Sequence, residues 1–354
     1  MARTLTIEPI EESVEVADGQ TLLDACLRAG VWLPHACGHG LCGTCKVQVL
    51  EGDVDHGEAS PFALMDFERE DGFTLACSAT ATSDVVIEAD VDEEPDAVVR
   101  PVRDFTGTVS RLEHLTADIL GIWITLDEPI EFQAGQYINL YVDGVERPRA
   151  FSIASSPSRE KEIELHVRLV PGGEATPRLH SELAVGDQVR FSGPYGRFFV
   201  RRSAAKPMLF LAGGSGLSSP KSMVLDLLES GCDQDITLVH GVRTVNDVYF
   251  ADEFRALETA HENFTYVPVL SEHDAALGDW TGEIGYVHEA AERCFDGSFK
   301  GMSAYLCGPP PMIEACIRSL MKGRLFERDI FTEKFVTAAD GESSLARSPL
   351  FKRL

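Results

Sequence analysis

The sequence predicts a multidomain chain in three parts: a small cysteine-bearing domain of strands and one short helix, a six-stranded antiparallel barrel, and an α/β doubly wound parallel sheet. Three observations carry this. Cysteines cluster near the N-terminal end at the spacing C-x4-C-x2-C, with a fourth some thirty residues on. About 100 residues of short β runs, punctuated by Gly and Pro, follow. From about residue 205 strand and helix patterns alternate.

The 354 residues, 44% hydrophobic and 25% charged, allow two or three ordinary globular domains. No run of about 18 apolar residues exists, so no membrane-spanning helix is expected. Met1-Ala2-Arg3-Thr4-Leu5-Thr6 leads straight into a strand pattern without a signal-peptide core. A cytoplasmic location is therefore expected, with the nine cysteines serving as thiolates and small core residues rather than disulfides. Net charge is −26, and residues 1–98 carry 21 Asp and Glu against 4 Lys and Arg, a net of −17 that leaves −9 for the rest. This field argues against nucleic acid and anionic membrane as partners. It would steer a protein partner with a basic patch, with plain solubility as the alternative reading.

The first domain is placed at 1–95. Leu5–Glu8 and Val14–Ala17 alternate in polarity and suggest a hairpin through Glu11-Glu12. Thr21 is positioned to cap a short helix with Leu22, Leu23, Cys26 and Leu27 on one face, so Cys26 reads as a small buried hydrophobe. The run His35-Ala36-Cys37-Gly38-His39-Gly40-Leu41-Cys42-Gly43-Thr44-Cys45, with Cys77 following, has the ligand spacing of a plant-type [2Fe–2S] cluster. Gly38, Gly40 and Gly43 permit positive φ and let amide groups approach the sulfurs. A structural zinc site would pair two C-x2-C knuckles, and only one is present. A Rieske centre needs two His ligands, and the second half of its motif reads Cys42-Gly43-Thr44-Cys45, so His35 and His39 are read as loop residues.

The acidic, Pro-containing stretch Asp90–Asp96 reads as a linker, drawn at 96–102. The barrel is placed at 103–203, with strands expected at Phe105–Ser110, Ile119–Thr125, Tyr137–Val142, Ala150–Ala154, Ile163–Leu169 and Gln188–Phe191. The third domain is placed at 204–354, including a C-terminal tail. Strands are expected at Met208–Ala212, Ile236–His240, Phe264–Leu270 and Ala304–Cys307, and helices include Lys221–Glu229 and Pro311–Met321. Cys232, Cys294 and Cys316 have no partners at ligand spacing and read as inert.

With these parts in order, the whole chain resembles the reductase components of bacterial multicomponent monooxygenases, the phenol hydroxylase reductases among them. The resemblance implies a β-grasp [2Fe–2S] ferredoxin domain, an FAD-binding barrel and a nicotinamide-binding domain. Arg147-Pro148-Arg149-Ala150-Phe151-Ser152 resembles the family's R-x-Y-S flavin motif. It implies that Arg149 forks onto the FAD pyrophosphate, that Phe151 stacks in place of Tyr, and that Ser152 lies at the flavin's reactive edge. Gly172, Gly173 and Thr176, opening a helical run, would receive phosphate. Gly193-Pro194-Tyr195-Gly196 resembles a family turn at the end of the barrel.

In the third domain Gly213-Gly214-Ser215-Gly216 sits between strand and helix, where a nucleotide pyrophosphate is accommodated. It resembles the family's G-G-T-G turn rather than G-x-G-x-x-G. Cys307-Gly308-Pro309-Pro310-Pro311-Met312 resembles C-G-P-P-x-M, whose cysteine lies beside the hydride-transfer point. Glu333-Lys334-Phe335 resembles the closing E-x-aromatic, with the ring covering the flavin. The implied activity is NADH oxidation through FAD and the cluster to an oxygenase or hydroxylase component, a di-iron enzyme of aromatic or small hydrocarbon substrates. Alternatives are a reductase for a Rieske dioxygenase, one for sugar deoxygenation, or a redox-sensing binding protein. NADH is expected over NADPH. Asp247 would disfavour a 2′-phosphate and Arg243 would attract one.

Overall fold

A computed structural model describes residues 2–91, 94–272 and 280–335. Asp92 and Glu93 of the linker and the tail after Phe335 lie outside the described residues. The chain divides into two compact units, one running to Arg103 and the other beginning at Asp104.

In the first unit β1 (Arg3–Glu8) and β2 (Glu12–Val16) form the expected antiparallel hairpin, Leu5 opposite Val14. The helix α1 (Leu22–Ala29) follows, capped by Thr21, whose hydroxyl accepts from the Asp24 N–H at 3.2 Å. Gly30 ends it in the left-handed conformation. Next come β3 (Lys46–Glu51), β4 (Val54–Asp55), the short α2 (Asp66–Glu70), β5 (Phe73–Leu75), β6 (Thr80–Ala81) and β7 (Val85–Glu88). The main sheet has the order β2-β1-β7-β3-β5, with β1 and β7 parallel at its centre. The helix buries Leu22, Leu23, Cys26 and Leu27, and burial pushes the Cys26 thiol up to about 12, so it is inert packing.

The second unit opens with β8 (Arg103–His114), β9 (Ile119–Leu126), β10 (Tyr137–Tyr141), β11 (Arg149–Ser152), β12 (Glu162–Arg168), the one-and-a-half-turn α3 (Thr176–Ser181) and β13 (Gln188–Tyr195). All six expected strands are present, antiparallel in the order β11-β10-β13-β8-β9-β12. A bridge between Ile153 and Leu165 brings the two edges together, so the barrel is nearly closed. Its interior holds Ile122, Ile124, Ile138, Leu140, Ile163, Leu165, Val167 and Phe191. The expected turn at Gly193–Gly196 is corrected: Gly193, Pro194 and Tyr195 continue β13, paired with β10 across a register shift. The Gly-Pro pair reads as a turn signal, but at a bulged strand end it can be accommodated in the ladder.

The rest of this unit alternates: β14 (Met208–Gly213), α4 (Ser218–Glu229), β15 (Ile236–Val242), α5 (Ala251–Ala260), β16 (Phe264–Leu270), β17 (Glu283–Ile284), α6 (Val287–Cys294), β18 (Ser303–Gly308), α7 (Pro310–Lys322) and β19 (Ile330–Lys334). The parallel sheet runs β17-β16-β15-β14-β18-β19. α4 and α5 pack on one face through Met223, Val224, Leu227 and Phe254. α6 and α7 pack on the other through Val287, Ala290, Ile313 and Leu320. Strand order reverses between β14 and β18, so the crevice for a ligand lies at their carboxyl ends, where Gly213 and Cys307 stand.

Candidate functional site

In the first unit, the loop after α1 gathers four sulfurs. Cys42 contacts Cys37, Cys37 contacts Cys77, and Cys77 contacts Cys45. The Gly40 N–H donates to Cys77 Sγ at 3.1 Å and the Leu41 N–H to Cys37 Sγ at 3.4 Å. The hydroxyl of Thr44 lies 3.3 Å from Cys42 Sγ. Gly40 has φ +78°, and a Cβ there would come within 3.0 Å of the Glu58 carbonyl oxygen, so only glycine fits this turn. As free thiols these groups do not shift alike: the contact with Cys77 lowers Cys45, while Cys42 and Cys77 are raised. The Cys37 sulfur, then burial, push Cys42 up to about 12; Cys77 also rises to about 12, the Cys45 sulfur and burial outweighing the downward pull of Cys37. Four adjacent thiolates need a cation of their own, and the inward-pointing amides suit the negative charge of a thiolate-held cluster. A string of sulfurs in pairwise contact fits the broader two-iron cluster. His35 turns Nδ1 to the Leu33 carbonyl at 2.8 Å, as a loop residue does.

On the barrel, Arg149 at the start of β11 reaches Glu174 Oε2 at 2.8 Å and the Arg147 carbonyl at 2.7 Å. Arg147, Arg149, Gly173, Glu174 and Arg178 line one cleft of about 800 Å3. Three guanidinium groups share this cleft with the carboxylates of Glu146, Glu174 and Glu182, and Arg178 Nη1 donates to Glu182 Oε2 at 3.3 Å. Thr176 accepts the Val170 N–H at 2.9 Å, which leaves its hydroxyl proton to donate. α3 has only six residues, so its dipole is a minor contributor beside the arginines. Gly172 takes φ +75° in the turn before it. Phe151 is half-buried and packs against the barrel core.

At the switch point, Gly213 to Gly216 turn from β14 into α4. A Cβ on Gly216 would run into the Cys307 carbonyl oxygen, so this glycine is required by close approach. Gly308, φ +146°, faces the Gly213 backbone, and Pro309 precedes α7. The Tyr249 hydroxyl donates to the Gly214 carbonyl at 3.0 Å. Ser215 is buried, and its carbonyl accepts the Ser218 hydroxyl at 3.1 Å.

Four residues meet here. Glu333 is half-buried as a residue, but its carboxylate turns inward. It accepts from the Ser219 hydroxyl at 2.7 Å, the Ser152 hydroxyl at 3.3 Å and the Cys307 thiol at 3.7 Å. Burial raises this carboxyl to about 7, with the three donors acting against it. Burial, and then the Glu333 charge, drive the Cys307 thiol well above its ordinary value, so it stays protonated. Phe335 follows, its N–H bonded to the Gly308 carbonyl at 3.0 Å. Ser219 belongs to this cluster, and no sequence motif marked it. Asp247, expected beside the adenosine ribose, accepts from the Thr244 N–H and hydroxyl at 2.9 and 2.8 Å, both at Oδ2. That local turn occupies one of its oxygens.

A thiol-lined loop, an arginine-lined barrel cleft and a nucleotide crevice beside a serine–thiol–carboxyl cluster define an iron–sulfur flavoprotein reductase. Family comparison agrees part by part. Residues 5–82 match the 2Fe-2S iron-sulfur cluster binding domain, 107–200 the oxidoreductase FAD-binding domain and 210–318 the oxidoreductase NAD-binding domain. The chain is 58% identical to the phenol 2-monooxygenase reductase component of Pseudomonas sp. (strain CF600) and 54% identical to the phenol hydroxylase P5 protein of Acinetobacter pittii (strain PHEA-2), each over 100% of both chains. The crystal structure of the Amycolatopsis reductase GcoB superposes with a TM-score of 0.85 at 37% identity, covering 94% of this chain and 98% of that one. The chain belongs to the family of iron–sulfur flavoprotein reductase components of multicomponent monooxygenases, with [2Fe–2S], FAD and NAD(H) as its cofactors. Like its relatives it delivers electrons to a hydroxylase component. Among the described residues no helix is long and apolar enough to cross a membrane.

Proposed function

We propose that the chain is the cytoplasmic, NADH-dependent reductase of a di-iron phenol hydroxylase, with Cys37, Cys42, Cys45 and Cys77 as cluster ligands. The full-length 58% identity to a phenol 2-monooxygenase reductase component carries the substrate class. The cofactors supply the chemistry of taking a hydride pair and releasing electrons singly; the chain supplies geometry. Arg149, with Gly172, Gly173, Thr176 and the neighbouring Arg147 and Arg178, would hold the FAD pyrophosphate, and Phe151 would pack on its ring system. Gly213, Gly214, Ser215 and Gly216 would hold the NADH pyrophosphate, and Gly308 and Pro309 would shape the nicotinamide pocket beside Phe335. Ser152, Cys307 and Glu333 would border the hydride-transfer point. Their hydroxyl, neutral thiol and carboxyl exclude water and fix polar contacts there without covalent chemistry.

The hydroxylase would dock on the cysteine loop. Leu41, Phe62, Met65 and Phe67 are 49, 84, 47 and 59% exposed, on and beside the loop segment that packs on Gly40 and Gly43. Exposed Glu58, Asp66, Glu70 and Asp71 surround them in sequence. An apolar patch rimmed by carboxylates suits an apolar depression with a basic rim. Reconstitution tests the whole reading: with purified phenol hydroxylase, NADH oxidation should couple to phenol hydroxylation. Coupling only to a Rieske dioxygenase would overturn the di-iron assignment, an outcome given point by a 36% identical reductase of a naphthalene dioxygenase/salicylate 5-hydroxylase system in Ralstonia.

A further inference from the structure

Barrel strands ordinarily bury one face and wet the other. β12 does not. Ile163, Leu165 and Val167 fill the barrel, yet Glu164 and His166 on the opposite face are only 3 and 5% exposed. What covers them comes from the nucleotide-binding lobe. Lys221 of α4, itself 3% exposed, places Nζ 2.8 Å from Glu164 Oε2. His166 Nε2 lies 2.8 Å from the other oxygen, Oε1. Lys221 Nζ also sits 4.3 Å from the centre of the Phe250 ring and 3.7 Å from Glu253. Phe250 takes a left-handed backbone, φ +58°, unfavourable for an aromatic residue, and its ring stands 5.4 Å from that of His166.

This arrangement is costly for its location. A lysine near the N-terminal end of a helix opposes the dipole, and a buried ion pair adds little stability over well-packed apolar residues. Burial pushes the Glu164 carboxyl up, but its hydrogen bonds and charge contacts with His166 and Lys221 outweigh this and bring it down to about 2, while burial lowers His166. The best-attested use of such a pair is to fix register. Here one end of the register is the barrel. The other is the nucleotide turn: Tyr249, edge-on to His166 at 5.4 Å, donates its hydroxyl to Gly214. The Ser222 hydroxyl, next to Lys221, donates to the Ser155 carbonyl just past β11 at 2.7 Å.

We propose that Lys221, Glu164 and His166 form a latch that sets the register of the nucleotide turn against the flavin barrel, so that they act as positioning residues for hydride transfer. The inference rests on the hydride-transfer reading above. The test uses the full chain with FAD and cluster bound, comparing the parent, Lys221→Met, Lys221→Arg, and the double variant Lys221→Met with Glu164→Leu. The double variant leaves no buried charge unpaired, so it should fold and hold FAD. Its flavin reduction by saturating NADH in single turnover should nevertheless slow at least about tenfold, because a misplacement of about 1 Å is enough to do so. The long-wavelength charge-transfer absorbance of the reduced complex should weaken, and NADH affinity should stay within about threefold of the parent. Lys221→Arg should recover most of the rate. Flavin reduction within about twofold of the parent in the double variant would overturn the latch, as would loss of FAD from it, since the pair would then serve assembly. If the parent itself is not reduced by NADH, the hydride-transfer reading fails instead.

Discussion

The thiol of Cys307 and the carboxylate of Glu333 lie 3.7 Å apart at the ends of two adjacent parallel strands, opposite each other in register. The pairing of β18 with β19 makes this contact, and the barrel then adds Ser152 to the same carboxylate. Burial drives the Cys307 thiol well above its ordinary value even with Glu333 beside it, so the thiol stays protonated. The cluster is therefore suited to orienting and shielding. Cys307→Ala should slow flavin reduction by roughly tenfold to a thousandfold, in the range of other transition-state contacts, and leave FAD content unchanged. Stopped-flow single turnover separates this from binding. An unchanged rate would return Cys307 to packing.

Glu333 gives a pH dependence with a definite sign. Its carboxyl is raised from 4.5 to about 7, so between these values the folded protein holds a proton that the unfolded chain has released. Stability from this group is complete below about 4.5, declines as pH rises through the window, and levels off above about 7. Glu333→Gln has no charge to bury. At constant FAD, the melting temperature of the parent should fall relative to the Gln variant between pH 5 and pH 8. Parallel profiles would show that the carboxyl titrates normally.

The cysteine loop makes a sharper demand. Cys42→Ser and Cys77→Ser should each lose iron and acid-labile sulfide but keep NADH–ferricyanide activity, since that route needs only the flavin. Gly40→Ala should do the same without touching a sulfur, because its Cβ meets the Glu58 carbonyl and its φ is +78°. Cys26→Ser, on the buried face of α1, should keep a full cluster. Loss of the cluster from Cys26→Ser would mean that the ligand set is wrong.

The cysteine set was legible because thiolate ligands from one tight loop impose a local spacing. The barrel strands were legible because alternation and Gly/Pro punctuation are local too. Gly193–Tyr195 misled for the same reason: glycine and proline mark turns in the chain, while the partner strand that keeps them in β13 is remote. The three-residue β5 carries too few residues for a periodic signal. Ser219, Arg178 and Tyr249 carry no motif at all. Each acquires its role from a partner far along the chain, and Ser219 meets Glu333 across 114 residues. Glu68 illustrates the converse. It reads as one more surface carboxylate, but it pairs with Lys46 at 2.5 Å, half-buried, and it accepts the Met65 N–H at the start of α2.

That pairing decides which carboxylates should steer the hydroxylase. Glu68 is engaged in holding α2 to β3, so its reversal would disturb the loop itself. Asp66 and Glu70 are exposed on the same short helix and belong to the −17 of the first 98 residues. Charges at an interface rim act mainly on encounter, and apolar anchors act mainly on dissociation. The two groups should therefore separate experimentally. Asp66→Lys with Glu70→Lys should lower the rate of hydroxylase reduction at low salt. The defect should shrink toward 1 M salt, where the Debye length falls from about 10 Å at 0.1 M to about 3 Å. Phe62→Ala with Phe67→Ala should weaken the complex at every salt concentration, by an amount on the order of 1 kcal/mol or more for each anchoring ring. Ferricyanide is itself charged and is no control for the first pair, so reduction of purified hydroxylase is the measurement for both. If the reversed variant matches the parent at low salt, the carboxylates serve solubility. If the phenylalanine variant also binds as the parent does, the hydroxylase docks elsewhere on the chain.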